Sequence, residues 1–190
     1  MDLIEIFINL MVASLQEVRS EYFNLITTDE ESGIVRERVF CYEFYHKMRC
    51  NMDETLGITL NGEVSKQSHQ SFLKEHRKTP DFIFHRPGTM ENNLIICEVK
   101  GKLFEKKGTK ADLIKDFETL EAFVSRYQYK AGVFVLYNHS LEELIDFFPP
   151  EKLSEMCNQC DDKIYIITVP SAGTVENVFN LESIKNRLSA

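Results

Sequence analysis

Apolar positions at the start of the chain recur every three or four residues. Leu3, Phe7, Leu10, Met11 and Leu15 fall on one side of a 3.6-residue period, so a leading helix or helical pair is expected from residue 3 to about 27. It should end in the polar loop Thr27-Thr28-Asp29-Glu30-Glu31-Ser32-Gly33. A second helix is expected from about residue 34 to 50. The period then changes. Residues 57 to 64 read as a short strand with a turn or bulge at Asn61-Gly62. Asp81-Phe82-Ile83-Phe84-His85 and Asn93-Leu94-Ile95-Ile96-Cys97-Glu98-Val99-Lys100 are apolar runs broken by Arg86-Pro87-Gly88, the pattern of two adjacent strands. Leu113, Phe117, Leu120, Val124 and Tyr127 restore helical spacing. Residues 131 to 137 are continuously apolar, as in a strand covered on both faces. Ser140 is placed to cap a short helix that Pro149-Pro150 stops, and residues 163 to 169 give a last strand. Helix, three strands, helix, strand, helix, strand predicts an α/β fold: a mixed central sheet flanked by helices, with residues 1–32 as an N-terminal helical extension and 33–190 as the main domain.

With 190 residues the chain can build one substantial core. No apolar run approaches the roughly 20 residues that span a bilayer, so no membrane association is expected. Acids at Asp2 and Glu5 stand where a signal peptide is basic, and the odd count of five cysteines, with Cys97 inside a central strand, argues against a disulfide framework; a cytoplasmic location follows. Cys157 and Cys160 form a CxxC without the second pair that a structural zinc needs. The net charge of -8 argues against a protein that coats nucleic acid through a broad positive field. It leaves room for local basic patches, which fall at residues 74–78 and 100–110 and read equally well as solvated loops.

Charge inside the two apolar runs needs a reason. Alternation puts Glu98 and Lys100 on one face of their strand, and Asp81 stands beside them if the preceding strand pairs alongside. Two carboxylates held close repel each other and lose solvation, and a divalent cation removes that penalty. Oxygen ligands select a hard ion, so magnesium is expected, with manganese able to substitute, and Asp81 and Glu98 as ligands. Lys100 would hold the attacking water or stabilise charge on a phosphate. The structural alternative is a Glu98–Lys100 ion pair at a sheet edge, worth less than about 1 kcal/mol if exposed.

Pro80-Asp81 followed by Glu98-Val99-Lys100 resembles the PD-(D/E)xK nuclease superfamily, the restriction endonuclease-like enzymes, over roughly residues 33 to 138. The resemblance implies an αβββαβ core, with Pro80-Asp81 opening its second strand and Glu98-Val99-Lys100 on its third. It implies a metal-dependent nuclease that cleaves phosphodiester bonds of nucleic acid, DNA foremost, with catalytic Asp81, Glu98 and Lys100. Members usually add an acid from the preceding helix. Glu37 lies in the middle of the stripe formed by Ile34, Phe40, Cys41, Phe44 and Met48, and Gly33-Ile34-Val35-Arg36-Glu37-Arg38 resembles the Gly-x-x-x-Glu-Arg opening of the Holliday junction resolvases; Glu43, at the border of the stripe, is the alternative. Either acid could instead form a helix-surface ion pair. The resemblance also gives Glu63 a role without fixing it, and an exposed edge position explains Glu63 equally well. Asp116 is placed to orient Lys100 or a second ion, or to be solvated. His85 shares the Asp81 face and is a candidate general base, although a histidine bonded to a loop is the commoner case. The competing function is a nuclease-like fold without activity that binds nucleic acid or assembles proteins. A homodimer through the apolar face of the first helix, or a separate specificity subunit, would complete either system.

Overall fold

In a computed structural model that describes residues 2–28, 30–64, 79–88, 93–103, 109–148, 155 and 160–188, six strands form one mixed sheet in sequential order. These are β3 (Thr59–Gly62), β4 (Phe82–His85), β5 (Asn93–Lys100), β6 (Ala131–Tyr137), β7 (Ile164–Val169) and β8 (Phe179–Asn180). The first three pair antiparallel, β5, β6 and β7 run parallel, and β8 returns antiparallel. Helices α1 (Leu3–Gln16) and α2 (Glu37–Asn51) cover one face; α3 (Thr109–Arg126), α4 (Leu141–Phe147) and α5 (Leu181–Leu188) cover the other. The chain is therefore an α/β protein with three layers.

Alternation sorts the strand residues between the layers. Cys97, Val99, Val133, Val135 and Tyr137 meet α1 and α2, whereas Ile96, Phe134 and Leu136 meet α3. All seven residues of β6 are buried, as its unbroken apolar run predicts. Phe40 of α2 stacks on Tyr137 with ring centroids 3.8 Å apart, and Phe44 meets Phe82 edge-on at 5.6 Å. On α4, Ser140 makes a full capping box with Glu143. Among the described residues no helix is long and apolar enough to cross a membrane.

Three expectations are corrected. The leading helix stops at Gln16, because Val18 and Phe23 turn inward, Phe23 standing edge-on to both Phe40 and Tyr137. The expected polar loop is a hairpin of β1 (Leu25–Thr27) and β2 (Glu30–Ile34), so Ile34 ends a strand and α2 begins three residues later. Gly33 has φ 75°, a left-handed conformation that glycine adopts without strain. The apolar face of α1 is not open for a partner: Phe7, Met11 and Leu15 are buried, and Phe7 packs on Phe84 with centroids 5.0 Å apart. The tail also forms β8 and α5, which contribute the buried Phe179, Leu181 and Ile184 and carried no prediction.

Candidate active site

Asp81 lies one residue before β4, and the antiparallel register, with Phe82 opposite Cys97, carries it to a place opposite Glu98. Pro80 has no N–H to offer the neighbouring strand. At this point side chains continue the ladder: Asp81 Oδ2 accepts from the Val99 N–H at 2.7 Å, and the Asp81 N–H donates to the Glu98 carboxylate. Glu98 thus holds the Asp81 backbone and Asp81 holds that of Val99, which ties the ends of the two strands together.

Lys100, the last residue of β5, is braced from two layers. Its Nζ is 3.1 Å from Asp116 Oδ2 on α3 and 3.6 Å from Glu37 Oε2 at the start of α2. The Gly101 N–H donates to Glu37, tying the first turn of α2 to the end of the strand. Gly101 leaves room for the Tyr137 ring, since a Cβ there would overlap it. The Tyr137 hydroxyl is fully buried without a hydrogen-bond partner among the described residues.

Four acids, Glu37, Asp81, Glu98 and Asp116, therefore surround one ammonium. Burial pushes the Asp81 carboxyl up to about 6; the Val99 N–H opposes the rise, and the charges of Glu37 and Asp116 add to it. Glu98 is raised well above the ordinary carboxylate range by burial and then by Asp81 and Asp116. Glu37 and Asp116 are also raised by burial, although Lys100 pulls both down. Burial alone would lower Lys100, but Asp116 and Glu37 outweigh it, so the pKa rises and the side chain stays an ammonium at neutral pH. The site carries more potential negative charge than one lysine balances.

That imbalance suits a cation. Among the described residues no three His, Cys, Asp or Glu side chains group closely enough to cage an ion by themselves. Asp81 keeps one oxygen outside its bond to Val99, and Glu98 adds a second carboxylate. Magnesium is commonly held by only one or two carboxylates, with water and substrate phosphate completing its shell, so this donor set fits it.

The remaining candidates are placed elsewhere. Glu43 is turned to Lys47 at 3.7 Å, a largely buried pair one turn apart along α2, and makes no ion pair with Lys100 among the described residues. Glu63, at φ 48° just after β3, donates its N–H to the Asp81 carbonyl, but its carboxylate bonds exposed Arg38 at 3.0 Å. It stands at the rim of the site and takes no part in the Lys100 cluster. The His85 Nε2 is 2.8 Å from Asn61 Oδ1, at the far end of β4 and about 13 Å along the strand from Asp81, so it is no general base here. The basic residues 74–78 and 104–108, and Cys157 of the CxxC, lie outside the described residues.

Sequence reading missed Gly101 and Tyr137 as parts of the site. The register of β5 and β6, which no local pattern reveals, brings them together. Compared with protein-family models, with curated proteins and with solved structures, the chain has no match in any of the three. The nuclease likeness therefore rests on the residues and their arrangement.

Proposed function

We propose that this protein is a magnesium-dependent nuclease of the PD-(D/E)xK kind, with a restriction endonuclease-like core, that hydrolyses phosphodiester bonds of DNA. One observation carries the reading: Asp81, Glu98 and Lys100, from two adjacent strands, converge where Glu37 and Asp116 also arrive. Asp81 and Glu98 would hold the ion, magnesium or manganese, which when bound supplies a Lewis acid and an acidified water. Lys100, protonated and aimed by Asp116 and Glu37, donates hydrogen bonds to the attacking water or to phosphate oxygens as negative charge grows on them. Its charge suits it to stabilise that anion and makes it a poor general base. Glu37 positions the lysine and closes the α2 side. Hydrolysis forms a bond from the water oxygen to phosphorus and breaks the bond to one ester oxygen, which leaves with a proton. Four acids around one lysine also count against a metal-free binding module, because without a cation they repel phosphate.

The test is incubation of labelled duplex, branched and single-stranded DNA, with and without manganese, beside Lys100→Ala. The parent should cut only with the metal, and the variant should lose about 100- to 1,000-fold in rate while melting as a folded protein. Equal cutting by both would exclude Lys100 from the chemistry, and no metal-dependent cutting of any form would end the nuclease reading.

A further inference from the structure

A groove of about 510 Å³ opens beside the acid cluster. Arg38, Tyr42 and Tyr45 form one wall, and their spacing of four and three residues puts them on one face of α2. Asn61 and Phe82 form the other wall. Glu37 and Asp81 also line it, so the groove leads directly to the proposed reacting centre.

The chemistry of its walls is specific. The Tyr45 ring lies on Phe82 at 6.2 Å and 24°, and its hydroxyl donates to the Leu60 carbonyl at 3.3 Å, so this flat apolar surface is fixed in place. Tyr42, one turn away, is 62% exposed, an aromatic ring presented to water along the same groove. At the rim, Arg38 is held by exposed Glu63, a pairing weak enough to give way to a phosphate. Flat aromatic faces beside a cation suit a planar base that carries phosphate. The volume lies in the range of small-ligand sites of about 300–1,000 Å³. A base within a duplex has both faces covered by its neighbours and its edge by its partner, so only an unpaired base can use such walls.

We propose that the groove holds an unpaired nucleotide of the substrate strand, its base stacked on Tyr42 beside the Tyr45–Phe82 pair, which directs the protein to single-stranded or locally opened DNA in preference to continuous duplex. This rests on reading the acid cluster as a nuclease centre. Strand-binding proteins use aromatic faces in this way, with little dependence on sequence.

The experiment uses one DNA strand carrying 2-aminopurine, whose fluorescence falls when it stacks on an aromatic ring. The strand, alone or paired with its complement, is titrated with the full-length parent, Tyr42→Ala and Tyr42→Phe in calcium, with anisotropy giving affinity; cleavage of the same strands is followed in manganese. The parent should quench the single strand and bind it more tightly than the duplex. Tyr42→Ala should bind the single strand about 5- to 150-fold more weakly, the loss of one stacked base, while Tyr42→Phe keeps the ring and the affinity. Because Tyr42 is exposed, Tyr42→Ala should melt with the parent, and a melt confirms it. Metal-dependent cutting with no quenching, and equal single-strand affinity for parent and Tyr42→Ala, overturns the groove and leaves the nuclease reading intact. Quenching that depends on Tyr42, with no cutting of any strand, supports the groove and ends the nuclease reading. Neither binding nor cutting overturns both.

Discussion

Replacing Asp81 by asparagine isolates one buried charge. Burial pushes this carboxyl up to about 6 from an ordinary 3.8, a value it regains in the unfolded chain. Between those pH values the folded protein keeps a proton that the unfolded chain has released. Stability from that proton is therefore complete below about pH 4 and is lost as pH rises through about 6. The interval is 6 − 3.8, about 2.2 pH units, and at about 1.4 kcal/mol per unit it is worth about 3 kcal/mol. In a domain of this size that corresponds to roughly 6–12 °C in Tm. The Asp81→Asn side chain does not ionise, and its carbonyl can still accept from the Val99 N–H. Glu37, Glu98 and Asp116 are raised in the same direction and remain in both proteins, so the difference between the two reads the Asp81 charge, directly and through the smaller relief that its loss gives Glu98. Urea denaturation followed by circular dichroism from pH 4 to 7.5, with chelator present, should show the parent losing about 3 kcal/mol relative to Asp81→Asn across this range. Parallel stability curves for the two proteins would refute the burial argument.

Metal binding should show the same coupling from the other side. Titration of manganese at pH 6 should release about one proton or more per ion, and fewer at pH 7.5, because the carboxylates that accept the ion must first give up protons; calorimetry in buffers of different ionisation heat reads this number. Glu37→Gln should slow cleavage about 10- to 100-fold by loosening Lys100, whereas Glu43→Gln should stay within about twofold, since Glu43 pairs with Lys47 and, among the described residues, not with Lys100; steady-state rates with manganese decide between the two helix acids. Gly101→Ala should cost about 1–3 kcal/mol, because its methyl meets the Tyr137 ring and forces it off Phe40; a melting temperature equal to the parent's would show that the ring has space to move.

How much of this was legible depends on where the chain buries apolar surface. The strand β6 and helix α3 announce themselves because their periods match their burial, and the shared face of Glu98 and Lys100 follows from alternation alone. The hairpin of β1 and β2 was missed for the opposite reason. Leu25 and Ile26 are exposed, so no apolar alternation marks a strand, and only pairing geometry defines it. The end of α1 is set by the inward turn of Val18 and Phe23, and Phe23 meets Phe40, a residue more than a dozen positions away. At the site, Glu37 lies among apolar helix positions, which signals that it faces inward. Glu63 carries no comparable mark, and Arg38, the residue after Glu37 on α2, takes its charge.

Lys100 is braced by Asp116, which belongs to the helix that crosses over between two parallel strands. That helix packs on β5 and β6 alike, so during synthesis on the ribosome its docking surface is complete only once β6 has emerged and joined β5. A nascent chain that has exposed every residue up to the lysine still lacks the contact that aims it. The bracing of Lys100 thus waits for Asp116 to emerge, and the seat of that residue is finished only when β6 is added beneath the same helix.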